Sequence, residues 1–242
     1  MDNEVGIGKR GEAVEKKYIL TNDVIVHCGV KLYRIKALRD FGDVKKGELG
    51  GYIEKEENLD HDGDCWVGGN AKVFNDAWVF EDAHVGGNAQ VYDFAVVGGG
   101  ARVLGRAKVY GFAYVLGNAY IYGDAQVYDF ACVAEKSRVY DFAQVFNYAY
   151  LEGKSKVFGR AKVYEYAHVF GNTYIYGNSN VFGHAVVKDR SFVCDYAKIS
   201  GFVFVFEDAK VKGVCEVSGD ELLGGDVCYG RRYITPKTTT NI

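Results

Sequence analysis

The chain has 242 residues and a formal net charge of −3 at pH 7, so its charge predicts neither a long nucleic acid nor a membrane as a partner. It contains no apolar run long enough to span a membrane and begins with charged residues, which argues against membrane spans and secretion and favours the cytosol. Its six cysteines lie far apart without a C-x-x-C motif. We therefore expect reduced thiols, and neither a disulfide framework nor a zinc site.

The chain shows no repeat before His61. Residues 1–17 are polar and predict a lead-in. Within residues 18–60, the apolar segments Val24–Val26 and Val30–Ile35 predict two short strands, with Cys28–Gly29 as the turn between them. We interpret residues 18–60 as an N-terminal β cap, because an uncovered stack of strands would expose edge strands and an open core.

A six-residue period begins after the cap. Every sixth residue from Val67 to Val217 is aliphatic, and the residue two positions earlier is small in almost every repeat. This period fits neither an α-helix nor an antiparallel meander, and it is typical of a parallel β-helix with aliphatic side chains stacked inside. We predict residues 61–218 as the β-helix. Residues 219–242, where the period stops, are predicted as a C-terminal cap and tail.

The repeated units, such as Gly69–Val73 and Gly117–Ile121, resemble those of the hexapeptide-repeat, left-handed β-helix superfamily. The stretch Ala37–Val73, with its Leu-Gly-Gly-Tyr-Ile-Glu segment, resembles a bacterial and prophage group of uncharacterised transferase-like proteins within it. This resemblance implies an all-β fold, a single-stranded parallel β-helix with triangular coils of three hexads, in the cytosol of a bacterium. The series of hexads then gives between eight and nine coils. The left hand follows from the resemblance alone, since parallel crossovers are generally right-handed.

Aromatic residues concentrate on one corner of this expected helix. Residues three hexads apart should stack on the same face, one strand spacing of about 4.8 Å per coil. We interpret the corner as a subunit interface of a homo-oligomer, with a homotrimer preferred because the superfamily typically trimerises and a monomer rarely exposes so large an apolar ridge. The alternative is aromatic stacking that only stiffens neighbouring coils. The predicted interface residues are Tyr92, Phe94, Tyr110, Phe112, Tyr114, Tyr128, Phe130, Phe146, Tyr148, Tyr150, Tyr164 and Tyr166.

Basic residues alternate with aromatic residues on the third face of the coil. Guanidinium and ammonium groups neutralise phosphate or carboxylate, and rings stack on a base, so this face predicts a small anionic, nucleotide-like ligand. The alternative is a solvated face with cation–π pairs between coils, and Asp124 and Asp141 offer ordinary salt-bridge partners. The predicted ligand-binding residues are Arg102, Arg106, Tyr120, Tyr122, Arg138, Tyr140, Lys156 and Arg160.

Evidence for catalysis is weak in the sequence. Acyltransferases of the superfamily tend to use a catalytic histidine and often a loop that interrupts the coils, whereas these hexads contain no insertion. His168 and His84 are kept as alternative catalytic residues, in which case His168 would act as a base in a groove between subunits. His168 and His184 share one corner while His84 lies on the third face, so three histidines do not converge on a metal.

Three functions therefore stay open. The first is a non-catalytic protein without a cofactor that captures a small anionic molecule at grooves between subunits, as a prophage sponge for a host defence signal would. The second is an acyltransferase that uses acyl-CoA with His168 or His84, and the third is a structural or scaffold protein. Uninterrupted coils favour the first and the third over the second. The basic and aromatic face favours the first.

Overall fold

The structure is a computed structural model that describes residues 13–225 together with the short strands 5–7, 227–228 and 233–234. In this range the chain is almost entirely β structure, and its only helical element is the 3-10 turn Glu56–Asn58. Short strands recur once in every hexad, and each pairs in parallel with the strand three hexads further along, as Gln90 does with Lys108. The predicted all-β fold, a parallel β-helix, is confirmed, and it has about ten turns.

The strands form three long sheets, one for each side of the coil, which we call face 1, face 2 and face 3. Face 1 consists of Tyr18–His27, Val30–Ala37, Leu49–Ile53, Lys72–Val73, Gln90–Val91, Lys108–Val109, Gln126–Val127, Gln144–Val145, Lys162–Val163, Asn180–Val181, Lys198–Ile199, Glu216–Val217 and Tyr233–Ile234. Face 2 consists of Trp78–Val79, Val96–Val97, Tyr114–Val115, Cys132–Val133, Tyr150–Leu151, His168–Val169, Val186–Val187, Phe204–Phe206 and Leu222–Gly224. Face 3 consists of Trp66–Val67, His84–Val85, Arg102–Val103, Tyr120–Ile121, Arg138–Val139, Lys156–Val157, Tyr174–Ile175, Phe192–Val193, Lys210–Val211 and Val227–Cys228.

The core is the stack of hexad side chains inside the coils. Every sixth residue from Val67 to Val217 is at most 1 % exposed, so each aliphatic group is removed from water and stabilises the stack. The small residues are also buried. Where serine replaces alanine, its hydroxyl is satisfied, as in Ser155 Oγ, which donates to Ser137 Oγ at 3.0 Å, and Ser191 Oγ, which donates to the Lys188 carbonyl at 2.8 Å.

The cap begins with the predicted hairpin. Tyr18–His27 pairs antiparallel with Val30–Ala37, and both turn residues have positive φ, 49° at Cys28 and 80° at Gly29. Two positive φ values are the geometry of a two-residue turn whose twist matches the strands. The hairpin extends face 1 and covers its first aromatic ring, because Leu32 packs with Phe74, which is only 4 % exposed.

The coils extend beyond the predicted bounds of 61–218 at both ends. Tyr52 pairs in parallel with Lys72, a longer step along the chain than three hexads, so part of the segment assigned to the cap belongs to the first coil. Lys210 pairs with Val227, a shorter step than three hexads, and Leu222–Gly224 also joins face 2. These irregular spacings break the hexad and explain why about ten turns are present instead of eight to nine.

The ends of the chain differ from expectation in two further details. The lead-in contains an antiparallel pair, Val5–Ile7 with Ala13–Glu15, while its other residues before 13 and those after 234 lie outside the described residues. Cys215 is disulfide-bonded, so the prediction of wholly reduced thiols is wrong at this position, since spacing along the chain does not show which cysteines meet across coils. The other cysteines with described side chains are free, namely Cys28, Cys65, Cys132 and Cys194.

Acidic side chains bridge the corners of successive coils. Each corner has one residue with positive φ, and where this residue is not glycine it is Asn, Asp or Glu. In most of these cases its side chain accepts the backbone N–H of the corner residue one coil further on, as Asp93 Oδ2 does from Gly111 at 3.1 Å. The same bond is made by Glu81, Asp129, Glu135, Asp141, Glu165, Asp189 and Asp195.

Substitution of one bridging carboxylate should measurably destabilise the helix. Asp129, with φ of 58°, accepts bonds from the Asn147 backbone N–H at 3.2 Å and from its side-chain Nδ2 at 2.9 Å. We expect Asp129→Ala to lower the free energy of unfolding by about 1–3 kcal/mol, because it removes the acceptor and places alanine in a left-handed conformation. Urea unfolding followed by circular dichroism measures this change. Asp129→Asn retains an acceptor and should cost less than about 0.5 kcal/mol; equal losses in both variants would contradict this account of the corners.

Candidate functional site

The predicted interface contains two columns of stacked rings. The first column lies at the face 1 side of the corner between faces 1 and 2, and its members are Phe74, Tyr92, Tyr110, Tyr128, Phe146, Tyr164 and Phe182. Their centroids lie 4.9–5.1 Å apart with planes within 7° of parallel. All are partly or fully buried within the monomer, and burial raises the pKa of Tyr110 and Tyr128 to about 12, which keeps both phenols neutral.

The second column stands at the tip of the same corner and is more exposed. Its members are Phe94, Phe112, Phe130, Tyr148, Tyr166, His184 and Phe202. Exposure of its phenylalanines and tyrosines ranges from 45 % at Phe112 to 57 % at Phe202. On face 2, Tyr114 is also 46 % exposed, while Tyr150 is less so. Stacking between coils is therefore present, and a continuous apolar ridge still faces solvent.

Basic and aromatic residues share one column of face 3. Arg102, Tyr120, Arg138, Lys156 and Tyr174 lie on five consecutive paired strands. The guanidinium carbons of Arg102 and Arg138 each lie 5.7 Å from the Tyr120 ring centroid, one on the strand before it and one on the strand after. Lys156 Nζ lies 4.6 Å from the Tyr174 ring centroid and donates to its hydroxyl at 3.2 Å.

A groove of about 510 Å³ lies beside this row. Its side-chain walls are Leu104, Tyr120, Tyr122 and Arg138, so the structure brings three of the predicted ligand-binding residues together. The floor is formed by the corner glycines, Gly105 and Gly123, whose lack of a side chain leaves the groove open.

The other predicted ligand-binding residues are placed differently. Arg106 turns to the corner between faces 3 and 1 and forms a double hydrogen bond with Asp124, both at 2.7 Å, which lowers the pKa of that carboxyl group. Arg160 lies at the same corner, 5.9 Å from the Phe142 ring centroid. Tyr140 is stacked between Tyr122 and Phe158 at 4.8 Å on each side, so neither face of its ring is open to a base.

Two lysines that sequence reasoning did not select adjoin this face. Lys136 and Lys154 stand at the corner between faces 2 and 3, each two positions before a predicted cation, Arg138 or Lys156. With Asn118, Glu135 and Asn172 they line a second groove of about 680 Å³. The sequence signal is the pair of triplets Lys-Ser-Arg and Lys-Ser-Lys, one coil apart, which is missed when only the neighbours of the aliphatic residues are sorted.

The four cations of these triplets have no acidic partner. Lys136, Arg138, Lys154 and Lys156 form no salt bridge within the described residues. The nearest acid in sequence, Glu135, uses its carboxylate to accept the Gly153 backbone N–H at 2.9 Å. The patch is therefore a cluster of four positive charges with one carboxylate, that of Glu135, beside it. Three of the four basic side chains are exposed and Lys156 is half-buried.

The two histidines kept as catalytic alternatives lie on different faces. His168 Nε2 lies 3.1 Å from Glu152 Oε1 on face 2, and its ring packs against Tyr150 and Phe170. Burial and a hydrogen bond to Glu152 raise the pKa of Tyr150 to about 12. His84, on face 3, has Nδ1 3.0 Å from the backbone carbonyl of Asp82. Among the residues whose side chains are described, no three acidic, histidine or cysteine groups are placed to hold a metal ion.

Comparison with known proteins does not identify a function, so the function is argued from the side chains on these faces. No family model matches the chain, and no curated protein shows significant similarity to it. No helix in residues 13–225 has the length and apolar character that crossing a membrane requires.

Proposed function

We propose that the protein is a non-catalytic, homo-oligomeric binder of a small anionic, nucleotide-like molecule, which it holds on face 3. The observation that carries this proposal is the row of Arg102, Tyr120, Arg138 and Lys156, in which cations that form no salt bridge with a described residue flank an aromatic ring. Guanidinium and ammonium groups bind phosphate or carboxylate through charge-assisted hydrogen bonds. A ring at their side offers a surface for a base.

The energies of the two kinds of contact support ligand binding on face 3 over a face that only carries cation–π pairs between coils. An exposed cation–π contact is worth about 0.5–1 kcal/mol, whereas a hydrogen bond to a charged group is worth about 1.5–3 kcal/mol. A phosphate would therefore draw the guanidinium group of Arg102 or Arg138 away from Tyr120. This movement opens one face of the Tyr120 ring, which is the surface that a base would occupy.

The uninterrupted coils favour capture over turnover. Within the described residues, the hexads from 67 to 217 contain no inserted loop that would close over face 3. Catalytic sites usually exclude water by such closure, while a preformed open groove loses little free energy to reorganisation when it binds. These properties suit a sponge that sequesters a signal molecule without changing it, including a defence signal if the chain is of prophage origin.

The exposed aromatic column supports the oligomeric part of the proposal. Rings from Phe94 to Phe202 are about half exposed over several successive coils, and association would remove this apolar ridge from water. In a homotrimer each interface is heterologous, so the corner of one copy meets a different surface of the next. We propose that the surface next to the ridge is the one with the ligand groove, so that the ligand lies between subunits.

One contact supports acyl transfer from acyl-CoA as a second candidate. The His168–Glu152 pair is the geometry in which a carboxylate orients an imidazole as a base. Glu152 directly precedes Gly153, which lines the groove of Lys136 and Lys154, so cations for the phosphates of acyl-CoA lie around the same corner. A scaffold role would rest on the stacked columns alone.

Loss of two cations should weaken ligand binding strongly. We expect Arg138→Ala combined with Lys156→Ala to raise Kd by about a hundredfold or more, because each lost charge-assisted contact costs about 1.5–3 kcal/mol. Calorimetry with cyclic dinucleotides, cyclic trinucleotides, ADP-ribose derivatives and acyl-CoA measures this effect. Lys162→Ala combined with Lys198→Ala on face 1 is the control. Binding of no compound, or equal binding by both variants, would remove this proposal in favour of a scaffold.

Charge placed on the exposed column should dissociate the oligomer. We expect Phe112→Asp combined with Phe130→Asp to yield monomers, because a carboxylate buried at an interface without a partner is costly. Light scattering coupled to size exclusion measures the mass. The control is Phe142→Asp combined with Tyr196→Asp, which charges two exposed rings at another corner. A monomeric unmodified protein would refute the interface.

We expect no turnover of acetyl-CoA. The reason is that no loop closes over the described coils and that His84 and His168 lie on different faces. Release of free thiol from acetyl-CoA in the presence of amine, sugar and hydroxyl acceptors measures the activity. Steady release that His168→Ala abolishes, with His84→Ala as the comparison, would instead establish the acyltransferase.

A further inference from the structure

We infer that the ligand carries at least two phosphate groups about one coil apart, held by a square of four cations, Lys136, Arg138, Lys154 and Lys156. This inference rests on the proposed function in that it takes face 3 as the ligand site. It adds that the charged part of the ligand is a group of phosphates and that Lys136 and Lys154 help to hold it.

The backbone places the four side chains in two rows one coil apart. Arg138 pairs with Lys156 in the parallel ladder, and the Lys136 N–H donates to the Gly153 carbonyl at 2.9 Å, which holds the corner against the coil that carries Lys154. The backbones of the two rows are therefore about 4.8 Å apart, while the charged ends of Arg138 and Lys156 lie toward Tyr120 and Tyr174. In both rows a serine between the cations points inward, and these buried serines bond to each other at 3.0 Å. The square thus stands on a rigid base.

Stacking like charges on adjacent coils is unfavourable for the fold itself. The same one-coil spacing brings opposite charges together in Arg106 with Asp124 and in Arg190 with Asp208, although acidic residues also stack, as in Asp64 with Asp82 and Asp189 with Glu207. The Arg190 pair lies at the same corner as Lys136 and Lys154, so this corner accommodates a cation–acid pair. Selection for stability alone would favour such a pair over the square. A bound polyanion supplies the missing negative charge.

The cluster ends abruptly on both sides along the helix axis. One coil earlier the corresponding positions are Asn118 and Tyr120, and one coil later they are Asn172 and Tyr174. Amides and phenols at both ends donate hydrogen bonds without adding charge. The site is thus two coils high, which suits a compact ligand with a few phosphates and does not suit a long nucleic acid.

Calorimetry with tripolyphosphate and orthophosphate on the full-length protein tests the square without any base. Tripolyphosphate can place separate phosphate groups on the two rows, whereas orthophosphate offers one group to all four cations, so we expect tripolyphosphate to bind about tenfold or more tightly. Lys136→Gln combined with Lys154→Gln should weaken tripolyphosphate binding about tenfold or more. The control, Lys72→Gln combined with Lys162→Gln, removes the same charge from face 1 and should not change it.

Two results would overturn the inference: equal affinity for the two phosphates, or equal losses in the corner and face 1 variants. A thermal melt of the corner variant verifies its fold, and we expect its Tm to be unchanged or higher because repulsion is relieved. Tyr120→Leu separates this inference from the proposed function. This variant should bind tripolyphosphate as tightly as the unmodified protein does and should bind any nucleotide ligand more weakly. If the unmodified protein binds tripolyphosphate through the four cations but binds no nucleotide, the proposed function is wrong and the inference stands.

Discussion

In-register stacking of parallel strands is the constraint on which the rest of this structure depends. Paired residues are three hexads apart, so each side chain meets the same position of the next coil one strand spacing away, about 4.8 Å. Aliphatic groups and flat rings pack favourably against a side chain of the same type at this spacing. Tyr110 and Tyr128, for example, lie parallel with centroids 4.9 Å apart. Charges of one sign do not satisfy it, which is why stacked cations need an explanation that stacked rings do not.

The same constraint governs hydrogen bonding at the corners. A positive φ turns the backbone N–H of the corner residue out of the strand ladder. Where the preceding coil has Asp or Glu at the corner, its carboxylate can accept this N–H, as Glu135 accepts that of Gly153. Glycine is favoured one coil before Glu135, because a Cβ at Gly117 would lie 2.9 Å from the Glu135 backbone nitrogen. Many acidic side chains are thereby committed to the backbone. Such a carboxylate keeps its negative charge and can still pair with a cation, as Asp189 does with Lys188 at 4.0 Å, although Glu135 forms no salt bridge with Lys136.

Much of this architecture could be predicted from the sequence, because burial imposes a strict period. The hexad identified the core, and sorting by three hexads identified the aromatic corner and the row from Arg102 to Lys156. The features that could not be predicted depend on strand pairs with irregular spacing along the chain, or on which of several neighbouring side chains a residue contacts. Examples are the first coil, set by the pairing of Tyr52 with Lys72, the commitment of Arg106 to Asp124, and the covered ring of Tyr140.

Face 3 combines rigidity with unbalanced charge, and the two properties act together in binding. Continuous strand pairing fixes the backbone positions of these cations one coil apart, although the charged ends of Arg138 and Lys156 lie toward Tyr120 and Tyr174, so part of their mutual repulsion remains until an anion binds. Binding then relieves a cost that the fold already carries. Since any ligand that binds only the folded chain stabilises it in proportion to its affinity, occupancy of this face and stability of the central coils are linked. Affinity on an open surface of this kind comes from preorganised charge and does not require enclosure.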